Sequence, residues 1–361
     1  MKNLSKILAI LLAAMLLLTA CKTTVNDSKP EEKQETAQTE EKKDDAEAPS
    51  EESEEEAWKK ELFYGKTVTI GYNGGLCTGA PGIAHVLGMF EEEGVKTEIV
   101  NVQSKVDAIG TGKVQLTCDH IATLLVPAVN GIDMVFKKAA QTGCKSLFVL
   151  DNGEINSTKD LIGKTIGLPD GIGNSDHNIA LRFLNHDEID PKDVKFVPVE
   201  GSASILALEN KEIAAVVLSD QFAEKFQNEG KIKMIRSLTY DEDFKKEPCC
   251  VYAFNKTFAK ENPITVKKMT KALFKVSDYI AEDIERATQI FFDNNWASGD
   301  FDQAVRMMKS YNWQVSNEMT STALKSIIDD YKKFDVIKSE KDTDTLLSEV
   351  WNEEDFAHEA K

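Results

Sequence analysis

From Lys66 onward, short runs of β-branched and aliphatic residues alternate with stretches whose apolar positions recur every three to four residues. The segment 66–72 (KTVTIGY) predicts a strand, and the loop 73–79 leads into a helix that ends at Met89-Phe90-Glu91-Glu92-Glu93-Gly94. Strands follow at 96–100, 114–118, 134–139 and 147–150, with helices between them over 105–110 and 120–129. Beyond a change of lobe at 160–167, a further unit has strands at 194–199, 214–218 and 232–235 and helices from Ser175 and over 204–208. A return strand is expected at 250–254, then helices over 263–291, 301–310 and 319–333. This alternation predicts an α/β fold with mostly parallel sheets. In such sheets ligands collect beyond the carboxyl ends of the strands.

The pattern divides the folded part into lobe I, 61–155 plus 248–340, and lobe II, 156–247, with a C-terminal helical tail over 341–361. The first twenty residues are different. Lys2 and Lys6 precede an apolar run over 7–18, and small residues precede Cys21, which is the layout of a secretory signal. That run is shorter than the ~20 residues a spanning helix needs. Its ending, Leu18-Thr19-Ala20-Cys21, resembles a bacterial lipobox. The resemblance implies a signal peptide over 1–20, lipid on Cys21 and an extracytoplasmic chain anchored to the outer face of the cytoplasmic membrane.

Charge sharpens this division. The chain carries 43 basic and 61 acidic side chains, a net −18, but 22–57 alone holds 14 acidic against 5 basic residues. Val25 is the only aliphatic side chain larger than alanine in that stretch. A segment so poor in apolar surface cannot offset its ordering entropy, so 21–60 predicts an acidic, disordered tether. The folded remainder is ordinarily acidic and lacks the clustered Lys and Arg that phosphate neutralisation requires, which argues against a nucleic-acid partner.

The run Ala80-Pro81-Gly82-Ile83-Ala84 through Gly88-Met89-Phe90-Glu91-Glu92-Glu93-Gly94-Val95 resembles the first helix of solute-binding lipoproteins of ABC importers. The similar group handles nitrate, sulfonates, taurine and thiamine pyrimidine precursors. Asp160 to Gly167 (DLIGKTIG), Ala207 to Val217 (ALENKEIAAVV) and Lys105 to Leu116 agree with it, and the resemblance covers about 65–315. It implies a two-lobe, periplasmic-binding-protein-like type II fold with a hinged central cleft, a monomer that captures a small-molecule solute and delivers it to ABC permease subunits. Closure of two lobes on a solute presents a state that a permease can distinguish.

Carried over by position, the resemblance implies solute contacts from Asn73, Gly74, Gly75, Leu76, Cys77 and Thr78. To these it adds Cys118 and Asp119, Thr142, Gly143 and Cys144, and, across the cleft, Gly173, Asn174, Ser175, Asp176, His177, Ser202, Ser204 and Asp220. Several of these residues open helices, where free N–H groups favour an anionic group; Ser and Asn there are equally ordinary N-caps. Of the candidate stacking partners Tyr72, Phe222 and Tyr252, the two tyrosines read as core strand residues.

Cys77, Cys118, Cys144, Cys249 and Cys250 all fall on predicted strand ends or adjoining loops, with His120 and His177 nearby. In an exported chain one or two disulfides with a free thiol would account for them. The alternative is a cleft that binds a thiophilic metal or metallocofactor, with Cys77, Cys118, Cys144, Cys249 and His120 as candidates. No G-x-S-x-G, H-E-x-x-H or P-loop occurs. No catalytic residue, cofactor or enzymatic activity is therefore expected. Cys249-Cys250 only faintly resembles the cysteine-rich iron segment of thiamine-pyrimidine-forming relatives of this fold.

Overall fold

The computed structural model describes residues 51–353, which fall in one unit, Pro49–Lys361. The signal over 1–20, Cys21, the tether up to residue 50 and the end of the tail lie outside the described residues. Ten strands follow one another along the chain: β1 (Thr67–Gly71), β2 (Lys96–Val100), β3 (Leu116–His120), β4 (Met134–Thr142), β5 (Lys145–Leu150), β6 (Thr165–Leu168), β7 (Lys195–Pro198), β8 (Ala215–Ser219), β9 (Ile232–Ser237) and β10 (Pro248–Asn255). They form two five-stranded sheets, β2-β1-β3-β10-β4 and β7-β6-β8-β5-β9, each the centre of a lobe.

Each sheet has the same plan. Three strands joined through helices pair in parallel, and a strand arriving from the other lobe inserts antiparallel beside them: β10 between β3 and β4, β5 between β8 and β9. Each sheet is thus mostly parallel, as expected, but mixed: four strands share a direction and the inserted one runs against them. The crossing also lies earlier than 155. β5 pairs with β8 and β9, so its residues belong to lobe II, and the chain changes lobe at Gly143 and Cys144. An all-apolar run such as Leu147–Leu150 does not reveal which sheet it joins. The two crossover segments run side by side: Cys144 N donates to Thr239 Oγ1 (2.8 Å), and Leu238 N to Lys145 O (3.1 Å).

The expected tether is ordered at its end. Glu51–Trp58 is a helix, and Trp58 is buried with Nε1 donating to Thr265 Oγ1 (2.9 Å). Glu61 accepts from the amides of Ile264 and Thr265 at the start of the helix Pro263–Glu282. One aromatic anchor and one capping carboxylate dock a segment that its composition alone marks as unfoldable. The helix expected over 263–291 is two, Pro263–Glu282 and Ile284–Asp293; Asp283 leaves helical geometry and its carboxylate accepts from Arg286 N (3.0 Å) as an N-cap. The tail forms a helix, Thr343–Val350, and Trp351 bridges to Phe136 in β4, so it is packed on lobe I.

At the back of the crossovers Arg182 is held by Glu247 (2.6 and 3.2 Å) and Asp330 (2.7 Å). This ties the helix Ser175–His186 of lobe II to the helix Asn317–Lys333.

Candidate functional site

A cavity of about 950 Å³ lies between the lobes. Lobe I lines it with Asn73, Gly74, Gly75, Cys77 and Thr78 after β1, with Ser104 and Lys105, and with Asp119 and His120 at the end of β3. Lobe II contributes Asp170, Gly173, Asn174 and Asp176, then Ser202, and Ser219 and Phe222 beyond β8. Lys145, the first residue of β5, reaches it from the crossover.

The loop after β1 is shaped by its glycines. Gly74 and Gly75 have φ of 97° and 98°, a region that side chains disfavour. Gly75 N donates to Trp296 O (3.1 Å), and Tyr72 Oη donates to Gly75 O (2.9 Å). A Cβ on Gly79 would overlap the Phe291 ring. The C-terminal helices thus hold this loop against the end of β1.

On the lobe I wall Lys105 Nζ donates to Cys118 O (2.9 Å) and lies 3.8 Å from Asp119. Asp119 Oδ1 accepts from His120 N (2.8 Å) and is 3.1 Å from His120 Nδ1. Burial disfavours the Asp119 carboxylate, yet His120 and Lys105 hold its pKa below the ordinary value. Burial likewise opposes a charged His120, but the Cys250 sulfur and Asp119 more than offset it and raise its pKa well above the usual imidazole range.

On the lobe II wall Lys145 Nζ donates to Asp176 (2.5 Å), Asp170 (2.6 Å) and Ser175 Oγ (2.8 Å). Burial works against its charge, and the two carboxylates outweigh it, so its pKa is raised. The two aspartates shift in opposite directions around one ammonium. Asp176 is 1% exposed and burial raises its pKa; Asp170 is 43% exposed, and although burial also acts against its charge, Lys145 and Ser175 lower it. Asp170 is the carboxylate that stays ionised most readily.

The cleft thus collects Asn73, Gly74, Gly75, Cys77, Thr78, Asp119, Gly173, Asn174, Asp176 and Ser202. Others implied by the resemblance do not line it. Cys118, Cys144, Ser175, Ser204 and Asp220 are buried beneath the surface, and His177 stacks edge-on against Phe196 with ring centroids 4.7 Å apart. Asp220 accepts from Ser146 Oγ (2.6 Å) and from Thr239 Oγ1, so its carboxylate braces the crossovers. The helix start at Ser175 is occupied by the chain itself: Asn174 Oδ1 accepts from Ser175 N, and Asp176 accepts from Asp170 N. Tyr72 and Tyr252 are core residues. The cavity also holds Lys105, Lys145 and Asp170, which the resemblance does not imply. A lysine heading the otherwise buried β5 was the one readable signal, since a buried cation demands carboxylate partners.

The sulfur candidates also regroup. One ligand atom each from Cys77, His120, Cys144 and Cys250 lie within 4.8 Å of one another. Cys118 and Cys249 are not in this group. Cys250 faces His120 in register and Gln141 on the other side, while Pro248 pairs with Thr142, leaving Cys249 as the unpaired residue of a bulge. Its Sγ is 2.9 Å from that of Cys144, and all five described cysteines are free.

Among solved structures, the alkanesulfonate-binding protein SsuA from Xanthomonas axonopodis pv. citri, bound to MOPS, aligns over 80% of this chain and 98% of its own at TM-score 0.63 and 13% identity. The periplasmic nitrate-binding protein NrtA from Synechocystis PCC 6803 aligns over 79% and 86% at TM-score 0.62 and 14% identity. The fold is therefore that of the type II periplasmic-binding proteins, as the sequence resemblance implied. Within it, the chain belongs to the NMT1/THI5-like family, whose profile matches residues 82–287. A curated relative, the 4-amino-5-hydroxymethyl-2-methylpyrimidine phosphate synthase THI11 of Saccharomyces cerevisiae, is 24% identical over 228 residues, 58% of this chain. The match spans 65% of the yeast protein's length.

Proposed function

We propose that this chain is the extracytoplasmic solute-binding lipoprotein of an ABC importer, tethered through Cys21, which captures a small polar solute between its lobes and delivers it to a permease. The carrying observation is the cavity of about 950 Å³ whose facing walls bring Lys105 and His120 with Asp119 against Lys145 with Asp170 and Asp176. Three cationic and three acidic groups nearly balance. Such a lining suits a solute bearing both signs of charge, or a neutral polar one, better than a bare oxyanion, because an extra anion would meet three carboxylates as well as the amines. Within the nitrate, sulfonate, taurine and thiamine-precursor class, an amino-sulfonate or a substituted pyrimidine is favoured. The N-terminal signal pattern and the fold of the periplasmic relatives support the extracytoplasmic reading.

Thermal unfolding against nitrate, alkanesulfonates, taurine and hydroxymethylpyrimidines tests it. A ligand at about 100 times its Kd stabilises by about 2.7 kcal/mol. The expected result is a dose-dependent rise in Tm with one member and recovery of that ligand unchanged by mass spectrometry. No rise with any of them overturns the solute class, and a chemically altered ligand overturns the reading as a binder in favour of an enzyme.

A further inference from the structure

We propose that Cys77, His120, Cys144 and Cys250 form a four-ligand site for a thiophilic divalent metal ion, Zn²⁺ by donor set, at the inner end of the cleft. Their ligand atoms lie within 4.8 Å of one another; around a tetrahedral zinc with Zn–S bonds of about 2.3 Å the sulfurs would be about 3.8 Å apart. Bringing the sulfurs onto one ion needs a contraction of about 1 Å at most, and the imidazole nitrogen slightly more. Three thiolates and one imidazole are a common zinc set, and soft sulfur donors discriminate against Mg²⁺ and Ca²⁺.

Four separate segments converge to make it. Cys77 comes from the glycine-shaped loop after β1, His120 from the end of β3, Cys250 from its register partner in β10, and Cys144 from the first crossover. Cys144 has φ of 103°, whereas the other four non-glycine residues with positive φ among the described residues lie between 56° and 61°. A cysteine held so far outside the ordinary left-handed basin marks a position where the backbone serves the side chain. The surroundings are those of a metal-bound histidine. Asp119 Oδ1 sits 3.1 Å from His120 Nδ1, which leaves Nε2 for the ion in a carboxylate–histidine–metal arrangement. Lys105, 3.8 Å from Asp119, is the nearby cation on the lobe I side, whereas Lys145, directly after Cys144, is held by Asp170 and Asp176.

Binding would release one proton from each of the three thiols to solvent. Cys77 and His120 line the cavity while Cys144 and Cys250 are buried, so an ion enters from the cleft and ties its floor to the crossover. The site requires no solute, but a bound ion would hold His120 neutral and so remove one of the cations counted in the solute reading; metal content and solute binding are therefore read separately. The competing arrangement is a disulfide between Cys144 and Cys249, which would withdraw Cys144 from the set.

The test is a Co²⁺ titration of the full chain purified anaerobically under reducing conditions, followed by Zn²⁺ competition. One Co²⁺ per chain is expected, with sulfur-to-metal charge-transfer and tetrahedral d–d absorption that one equivalent of Zn²⁺ abolishes. Cys250→Ser and the half-buried Cys77→Ser should each lose the charge-transfer intensity of one sulfur and weaken binding, with Cys77→Ser keeping the test informative where Cys250→Ser fails to fold. Asp119→Asn should weaken it about 10- to 100-fold, and Cys118→Ser should leave it unchanged. The site is overturned by an octahedral or absent cobalt spectrum, by an unaltered spectrum in Cys77→Ser, or by a thiol count two short of the cysteine count under the same conditions.

Discussion

The two lobes are built to one plan and meet the cleft with opposite chemistry. In each, three parallel strands are joined by an antiparallel strand from the other lobe. Lobe II presents an ammonium already clasped by its own Asp170, Asp176 and Ser175. Lobe I presents sulfur and imidazole, with Cys77 and His120 on the cavity wall and Cys250 behind them. Sheet order therefore decides where a site forms, and the residues at the strand ends decide what it does. A wall whose charges are internally satisfied is rigid before any ligand arrives; a wall of convergent donors is completed by one.

The largest effect that would break this contrast is expected from Lys145→Met. It leaves Asp170 and Asp176 without their shared cation and should cost about 3–5 kcal/mol in denaturant unfolding, as loss of one member of a buried ion pair does. A cost under about 1 kcal/mol would mean that the lobe II wall is not locked by its own charges. Second is Asp330→Asn, at the junction behind the cleft, with an expected loss of about 1–3 kcal/mol at neutral pH. Burial opposes the Asp330 carboxylate, but His186 and Arg182 hold its pKa below the ordinary value. Its contribution is thus complete above the unfolded pKa of about 3.9 and disappears as pH falls through the folded value. The stability gap between wild type and variant should close in acid, as pH-dependent unfolding would read. The smallest effect is expected from Phe222→Ala, which removes the only Phe, Tyr or Trp among the lining residues. For an aliphatic amino-sulfonate the affinity should change by about threefold or less; a tenfold loss would identify a planar, stacked solute instead.

Much of the fold was legible because periodicity is local. The strand at 96–100 and the helices over 105–110 and 301–310 have the bounds expected of them, since each is delimited by neighbours in sequence. Misreadings came where a partner lies far along the chain. The run around Leu147 belongs to lobe II only because β8 and β9 flank it. Trp58 orders an acidic segment only because Thr265 and the pocket over Gly94 receive it. Asp220 looked like a cleft residue at a strand end, and Ser146 and Thr239 turn it inward. Lys145 carries no local mark of its place, because nothing near it in sequence shows Asp170 and Asp176 on the same side.

By itself, then, the sequence determined element type and order, the two-lobe class with its family, and the location of half the net charge in 22–57, because these depend on composition and on spacings of a few residues. Only the tertiary structure decided which thiols meet. The insertion of β10 between β3 and β4 sets Cys250 opposite His120, and the bulge at Cys249 gives two adjacent cysteines different neighbours. Strand pairing is a contact between distant segments, and a shift of one residue turns every side chain to the other face.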